Sequence, residues 1–300
     1  MKKYSQIKKF FNFNPQNTKQ KTENSKRAII SDEAPFVVRE AYRTTRTNII
    51  FSISSIVKDG AKMIALTSAN PGEGKTTTAL NLAITFAQTA HVLIVDCDMR
   101  KPRMHRYIGA RKDVGLSTVL SNQVKAEDAI HKDVRPNLDV MVSGAVPPNP
   151  AELLASEAMK NMLDGLKNKY DYIFFDTPPV TVVTDASALS PFVDGIMLVV
   201  RQNYTDHESL TSALNLLNIA NTKILGFFMN DVNAKRAGYG YGRYRYRYGN
   251  KYGYKYGYKY GYSYGYHYSY SDKHGYGDKP GEDDDDADIA QDSKKSIKKK

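Results

Sequence analysis

The chain has 300 residues, enough to bury a core of one large domain or two smaller ones, and this excludes a miniprotein that depends on disulfides. Its only cysteine, Cys97, has no partner within the chain, and no apolar run reaches the length of a membrane-spanning helix. The net charge of +11 is uneven: residues 31–237 are neutral, while residues 1–30 and 238–300 carry the excess. We therefore predict a cytoplasmic protein with a neutral folded region and basic ends.

Residues 1–30 are rich in Lys, Asn and Gln and show no sustained hydrophobic period, which predicts a basic flexible leader. The leader has no small-residue cleavage site, so it is a poor secretion signal. Four lysines, Lys2, Lys3, Lys8 and Lys9, lie near phenylalanines and offer a marginal contact for anionic lipid. A plain flexible leader is the simpler interpretation.

Residues 40–52, EAYRTTRTNIIFS, have the spacing of an amphipathic helix, and Pro35 precedes it as a start signal. Side chains three positions apart lie on the same face of a helix, so Glu40, Arg43 and Arg46 form one row. From the residues alone, this row indicates an ordinary solvated face with weak ion pairs.

Short apolar runs alternate with helical patterns along the rest of the folded region. Several runs are apolar at consecutive positions, which is typical of parallel strands covered on both faces. The predicted strands are residues 63–67, 92–96, 138–142, 172–176, 195–200 and 224–229. The predicted helices are residues 75–89, 151–167, 185–189 and 207–220. This alternation predicts an α/β domain, a mostly parallel sheet with helices on both faces, over residues 31–236.

A glycine-rich loop, SANPGEGKT, follows the first predicted strand and departs from the general phosphate-loop pattern only at Ala69. Glycines let successive backbone N–H groups point at a phosphate, the lysine reaches the β- and γ-phosphates, and the threonine can bind magnesium. A strand before the loop and a helix after it favour this interpretation over a simple helix cap. The predicted nucleotide-binding residues are Gly72, Glu73, Gly74, Lys75, Thr76 and Thr77.

Three aspartates follow later strands. Asp96 and Asp98 stand two positions apart after the second predicted strand, so both can face the crevice beyond the carboxyl ends of the sheet. Asp96 could bind the metal, and it is the preferred candidate to orient an attacking hydroxyl or accept its proton. Asp98 could instead cap a turn or pair with Arg100. Asp176 ends the strand IFFD and is predicted to anchor Mg²⁺ through water. The predicted metal-binding residues are Thr76, Asp96 and Asp176.

The sequence changes character at Gly238, where tyrosine begins to alternate with Gly, Arg, Lys, Ser or His. Sixteen of the 22 tyrosines lie between Tyr239 and Tyr276. Neither face of such a tract offers Val, Ile or Leu to a core, so we predict that residues 237–300 form a disordered tail, which ends in an acidic block and a lysine run.

The three motifs together, SANPGEGKT, the apolar run ending in DCDMR, and the apolar run ending in DTPP, resemble the bacterial tyrosine kinases of Gram-positive capsule and exopolysaccharide systems. The resemblance covers about residues 35–230 and extends to the terminal tyrosine cluster. It implies a phosphate-loop fold and an ATP- and Mg²⁺-dependent protein-tyrosine kinase that phosphorylates itself. Lys75, Asp96 and Asp98 fall on the family's catalytic positions.

The same resemblance has implications for assembly and partners. Glu40, Arg43 and Arg46 match an ExxRxxR element that the family uses as a subunit contact in a ring. The family's separate kinases act with a transmembrane activator, a polysaccharide co-polymerase, which implies recruitment to the inner face of the membrane. Other tyrosine-phosphorylated proteins are implied as further partners. The phosphoacceptor candidates in the tail are Tyr252, Tyr254, Tyr256, Tyr258, Tyr260, Tyr262, Tyr264, Tyr266, Tyr268 and Tyr270.

Two other classes of function have the same loop or tail. A deviant phosphate-loop ATPase of the partition or septum-placement type shares the strand, loop and aspartates, but it has no use for sixteen terminal tyrosines. A structural or RNA-binding module could use the Tyr/Gly/Arg tract to stack bases, although we expect no nucleic acid partner. Detection of phosphotyrosine separates the first alternative from a kinase, and the phenotype of Lys75→Met separates the second.

Overall fold

The computed structural model describes residues 29–56 and 59–232. The chain divides into two units, residues 1–245 and 246–300, and the second unit lies outside the described residues. The same is true of nearly all of the predicted leader and of the whole tyrosine tail. The domain boundaries near residues 30 and 236 therefore stay predictions.

The described residues alternate between strands and helices. In chain order the elements are α1 (Phe36–Ile53), β1 (Lys62–Ser68), α2 (Lys75–Ala87), β2 (Val92–Asp96), α3 (Met104–Ile108), α4 (Leu116–Leu120), α5 (Ala126–Ala129), β3 (Ile130–Arg135), β4 (Leu138–Met141), α6 (Pro150–Leu154), α7 (Glu157–Leu166), β5 (Tyr172–Asp176), α8 (Asp185–Ala188), β6 (Gly195–Arg201), α9 (His207–Ile219) and β7 (Ile224–Asn230). The predicted α/β class is confirmed.

The strands form one sheet in the order β3-β4-β2-β5-β1-β6-β7. All neighbours are parallel except β3, which runs antiparallel to β4. The central strands are apolar at consecutive positions because each face of the sheet has its own buried core. In β1, Ile64 and Leu66 pack on the side of α1 and α2, whereas Met63 and Ala65 pack on the side of α6, α7 and α9.

Three parts of the fold differ from the sequence prediction. The short helices α3, α4 and α5 lie where the sequence predicts no element. The edge strand β3 was not predicted because its residues, IHKDVR, are charged and only partly buried, as suits an exposed edge. The single helix predicted over residues 151–167 is two helices. It is interrupted at Ser156, whose hydroxyl accepts a hydrogen bond from the N–H of Met159 and caps the second helix.

The parallel order places the carboxyl ends of β1, β2, β5 and β6 at one edge of the sheet. The glycine-rich loop follows β1 at this edge, Asp96 and Asp176 end β2 and β5 there, and Asp98 follows β2. The topology thus brings together residues that are far apart in sequence.

Candidate active site

The glycine-rich loop runs from the end of β1 to the start of α2. Gly72 has φ 87° and Gly74 has φ 91°, a left-handed conformation that residues with a Cβ adopt only under strain. A Cβ on Gly74 would also overlap the side-chain amide of Asn230. Both glycines are therefore required by the shape of the loop, which leads directly into the N-terminus of the 13-residue helix α2.

Lys75 is the first residue of α2, and its side chain is buried. Burial lowers the pKa of its amine, and the negative charges of Asp176, Asp98 and Glu73 oppose that shift. The sheet edge thus holds one lysine among several carboxylates, beside the loop.

Asp96 and Asp176 end the neighbouring strands β2 and β5 and are direct partners in the strand register. Both are buried. The Asp96 carboxylate accepts hydrogen bonds from the backbone N–H groups of Asp98, at 3.1 Å, and Met104, at 3.4 Å. Burial raises the pKa of Asp96 well above its usual range, and the charges of Asp176 and Asp98 add to the shift.

Asp176 has a simpler environment. Its Oδ1 is buried without a hydrogen-bond partner, and its carboxylate interacts with the hydroxyl of Thr76. Burial raises the pKa of Asp176 to about 6, while the Lys75 ammonium and the Thr76 hydrogen bond oppose the rise. An unpartnered carboxylate oxygen beside a hydroxyl is a hard oxygen donor pair of the kind that Mg²⁺ prefers.

A cavity of about 220 Å³ opens in front of the loop. Its lining residues include Gly72, Gly74, Lys75, Thr76, Thr77 and Asp98. Asp96 and Asp176 are enclosed by neighbouring residues and do not line it, nor does Glu73, whose side chain is fully buried. Six of the nine predicted site residues around the loop thus face one cavity, and the other three lie outside its lining.

Asp98 shows part of the alternative considered for it. Its Oδ1 accepts a hydrogen bond from the N–H of Lys101 at 3.0 Å, so it does cap a turn. It is not the partner of Arg100, which makes a two-pronged ion pair with the buried Asp185 at 3.0 Å for each bond. Asp98 still lines the cavity while it caps the turn.

Sequence reasoning missed several residues of the cavity wall. Lys101 and Arg103 bring two more positive charges, and the hydroxyl of Tyr107 lies 3.1 Å from that of Thr77. The two cations immediately follow the Asp98 motif, so a search for basic residues after the second strand would have found them. Tyr107 gives no such signal because it reaches the loop from α3.

Within residues 29–56 and 59–232, no group of three or more His, Cys, Asp or Glu side chains is arranged to hold a metal. Mg²⁺ does not need such a group, since it keeps several waters and takes one or two protein ligands together with phosphate oxygens. Thr76 and the unpartnered oxygen of Asp176 fit that requirement.

The part of the chain that the structure describes also contains no helix long and apolar enough to cross a membrane.

The row predicted as a subunit contact lies on α1, outside this cavity. Glu40 and Arg43 form an exposed ion pair at 2.6 Å, and Arg46 donates a hydrogen bond to the carbonyl of Thr85 at 2.7 Å, which joins α1 to α2. The row thus has contacts within the chain, and its role between subunits stays a prediction. The tail tyrosines lie outside the described residues.

Known proteins are similar to the part of the chain that contains this site. Residues 61–225 match the family AAA_31, described as an AAA domain. The chain is 43% identical over 204 residues to the tyrosine-protein kinase YwqD of Bacillus subtilis, a match that covers 67% of this chain and 85% of the relative. It is 36% identical over 208 residues to the tyrosine-protein kinase CpsD of Streptococcus agalactiae, with 68% and 89% covered.

Other relatives are longer proteins. The putative tyrosine-protein kinase EpsB of Ralstonia solanacearum is 36% identical over 212 residues, but this chain spans only 28% of its length.

Among solved structures, the BceF tyrosine kinase domain is similar with a TM-score of 0.62 and 31% identity, covering 71% of this chain and 86% of that one. The chimerical protein CapA2B2 is similar with a TM-score of 0.59 and 37% identity, covering 63% and 82%.

Proposed function

Because this chain belongs to the bacterial tyrosine kinase family, we propose that it is an ATP-dependent protein-tyrosine kinase that phosphorylates its own C-terminal tyrosine cluster. One observation carries the proposal: the glycine-rich loop and the buried Lys75 lie at the same edge of the sheet as Asp96 and Asp176, which end neighbouring strands, and Asp98 lines the cavity in front of the loop. The loop and lysine suit a nucleoside triphosphate, and the sixteen terminal tyrosines supply acceptors in the same molecule.

In the proposed reaction the γ-phosphoryl group of ATP passes to a phenol oxygen. The loop N–H groups and the Lys75 ammonium stabilise the charge on the phosphate oxygens, which is the main source of catalysis in such transfers. Thr76, Asp96 and Asp176 would hold Mg²⁺, whose positive charge would further neutralise the phosphates. A phenol has an ordinary pKa near 10, so it needs a carboxylate to orient it or to take its proton.

Asp96 and Asp98 are the two candidates for that carboxylate. Asp96 has the raised pKa of a better proton acceptor, but it is enclosed, and both of its oxygens accept backbone hydrogen bonds. Asp98 lines the cavity, where an incoming phenol would enter. We propose that Asp98 meets the phenol and that Asp96 acts on the magnesium side. Comparison of Asp96→Asn with Asp98→Asn at saturating magnesium tests this assignment.

The charge of the tyrosine tract suggests a consequence of the reaction. Between Tyr239 and Tyr270 the tract contains six Lys or Arg residues and no acid. Each phosphate adds about −1.5 to −2, so roughly four modifications cancel the charge and further ones invert it. We propose that subunits of a ring phosphorylate one another and that the modified tails loosen the ring. An unchanged molecular mass in a heavily phosphorylated sample would contradict this.

The partners are proposed from the family. A transmembrane polysaccharide co-polymerase would recruit and activate the kinase at the inner face of the membrane, and phosphorylation would regulate capsule or exopolysaccharide synthesis. The similarity to capsule-type kinases and to CapA2B2 supports this proposal. Loss of polysaccharide control in a strain that carries Lys75→Met is the expected result.

The central experiment is mass spectrometry of the purified protein after incubation with ATP and magnesium. We expect phosphotyrosine between residues 239 and 276. Lys75→Met should reduce its formation by at least about a hundredfold, because the main protein cation at the phosphates is lost. A melting temperature close to that of the wild type would show that the variant is folded. ATP hydrolysis without phosphotyrosine would instead favour the partition-type ATPase.

A further inference from the structure

We infer that Tyr204, Thr205 and Asn230 are positioning residues that hold the glycine-rich loop in its phosphate-binding form. The inference deepens the proposed function and rests on it, since it concerns the same nucleotide site. None of the three belongs to a motif of the sequence. They come from the β6–α9 loop and from the end of β7, more than 120 positions from the glycine-rich loop.

The outer side of the loop is fixed by three side-chain donors on three consecutive carbonyl groups. The Tyr204 hydroxyl donates to the oxygen of Pro71 at 2.9 Å, and the Asn230 amide donates to that of Glu73 at 3.0 Å. Between them, Arg201 Nη1 donates to the oxygen of Gly72 at 3.3 Å. We call Arg201, Tyr204, Thr205 and Asn230 the loop clamp.

The direction of these bonds matters for the chemistry. The donors of the loop clamp are absent from the lining of the cavity in front of the loop, so the three carbonyl oxygens are bonded from the other side. A phosphate site needs backbone N–H groups that converge on the anion, and a carbonyl oxygen turned toward the cavity would repel it. By engaging the carbonyls, the clamp leaves the N–H side of the loop for the phosphate.

Thr205 adds a second level of support through the side chain of Glu73. Its hydroxyl donates to Glu73 Oε1 at 2.6 Å and accepts a hydrogen bond from the N–H of Arg201 at 2.8 Å. Glu73 is fully buried, and its other oxygen, Oε2, has no partner. Removal of the Thr205 hydroxyl would leave both oxygens of this carboxylate unsatisfied, which favours movement of the loop toward water.

The clamp is itself held in place. Arg201 makes an ion pair with Asp231 at 2.8 Å, which joins the ends of β6 and β7. The Asn230 amide occupies the space that a side chain on Gly74 would need. Gly74 therefore has two roles. It permits the left-handed turn, and it lets the clamp approach the loop closely.

Small changes test the clamp without large losses of packing. Tyr204→Phe removes one hydroxyl, Thr205→Val replaces a hydroxyl by a methyl group, and Asn230→Asp replaces the donor by a carboxylate oxygen. Tyr170→Phe is the matched control, because its hydroxyl donates to Asp139 at 2.7 Å away from the cavity. Thr205→Ser keeps the hydroxyl and should therefore behave like the wild type.

We measure the Kd for MgATP by calorimetry and the hydrogen exchange of loop amides 70–76 in the nucleotide-free protein. Tyr204→Phe and Thr205→Val should each raise the Kd about five- to tenfold, the loss expected for one hydrogen bond, and should speed the exchange of the loop. Asn230→Asp should raise the Kd more, since it also places a negative charge near the phosphates. In kinase assays, the KM for ATP should rise more than kcat falls.

Wild-type Kd and wild-type loop exchange in Tyr204→Phe and Asn230→Asp would overturn the inference. So would a lower melting temperature with an unchanged Kd, since that is the mark of a purely structural contact. If the wild type binds MgATP but forms no phosphotyrosine, the proposed kinase function fails while the Kd still decides the clamp. If the wild type binds no MgATP, the exchange of the loop amides decides it.

Discussion

The buried charges of the site place opposite demands on folding and on catalysis. Lys75, Asp96 and Asp176 are all buried. Burial lowers the pKa of Lys75 and raises the pKa of both aspartates, so it favours the neutral form of each side chain. Two neighbouring buried carboxylates cost stability when both are ionised, and the Lys75 ammonium offsets only part of that cost. The same cost favours ligand binding, because Mg²⁺ would compensate the charges of the buried carboxylates and phosphate would compensate that of the Lys75 ammonium.

This cost predicts a pH-dependent effect of Asp176→Asn. Because the pKa of Asp176 is raised to about 6 from an ordinary value of 3.8, its stabilising contribution is complete below about pH 3.8 and is lost as the pH rises through 6. In metal-free buffer, the melting temperature of the variant minus that of the wild type should therefore increase by a few degrees between pH 4.5 and 7.5.

The exposed Asp113 provides the matched control, since Asp113→Asn removes a carboxylate that lies 3.1 Å from Arg111 at the surface. Its melting difference from the wild type should not follow that trend. A difference for Asp176→Asn that is constant across the range would contradict the assigned burial effect. The same variant should lose phosphotyrosine formation at pH 7.5, although it is more stable there.

At the scale of elements, α1 is attached to the sheet through α2 and β7. The Tyr42 hydroxyl accepts a hydrogen bond from the side chain of Asn81 at 3.2 Å, and its ring stacks on Phe228 with centroids 5.1 Å apart. Ile49 and Ile53 are buried in the same core. The helix that carries the predicted subunit contact is therefore packed into the folded domain.

The Glu40, Arg43 and Arg46 row allows two kinds of contact to be separated. Arg46→Ala should destabilise the fold by about 1 kcal/mol because it removes the hydrogen bond to Thr85. Arg43→Ala breaks only an exposed i,i+3 ion pair, so it should cost at most about 0.5 kcal/mol. Urea denaturation measures both values.

The same two variants test the ring. If the row is a subunit contact, both should lower the molecular mass measured by light scattering, although their stabilities differ. A mass that falls only with Arg46→Ala would attribute the effect to the loosening of α1 rather than to a contact between subunits. An unchanged mass in both variants would remove the row from the proposed interface.

The elements also show how far sequence alone reaches. All six predicted strands are present with ends within one residue, since consecutive apolar runs leave few alternatives in an α/β chain. Gly72, Gly74, Lys75, Thr76 and Thr77 were found because one short motif contains them. Tyr204, Thr205 and Asn230 were not found, because they meet the loop only through the packing of β6 and β7 and carry no local signal.

At the scale of the whole molecule, the sequence divides into a neutral region and a basic, tyrosine-rich terminus. Residues 31–237 contain 22 basic and 22 acidic residues, whereas residues 238–300 have a net charge of +4. All seven strands of the described sheet lie before residue 233. In the proposed function, the candidate active site and the acceptor tyrosines therefore lie in different parts of the sequence, and the acceptors all follow β7.

This arrangement predicts that the terminus is dispensable for folding. Deletion of residues 237–300 should leave the melting temperature within about 2 °C of the wild type, because it removes none of the strands or core residues that the structure describes. ATP binding should persist, and phosphotyrosine should fall to the level of any remaining sites. Calorimetry and mass spectrometry measure these properties.

A deletion that begins at Ile224 is the contrasting variant. It removes β7, which pairs along the length of β6, and with it Phe228 and Asn230. This protein should be strongly destabilised and should not bind MgATP. A large loss of stability in the shorter deletion as well would show that the terminus contributes to the fold.

The position of Asn230 also sets the reach of the acceptors. Tyr239 follows Asn230 by nine residues, so even a fully extended chain carries it no more than about 30 Å from the end of β7. Tyr276 follows by 46 residues, and its maximum reach is about five times greater. The position of each tyrosine in the sequence therefore sets the greatest distance from β7 at which it could serve as an acceptor.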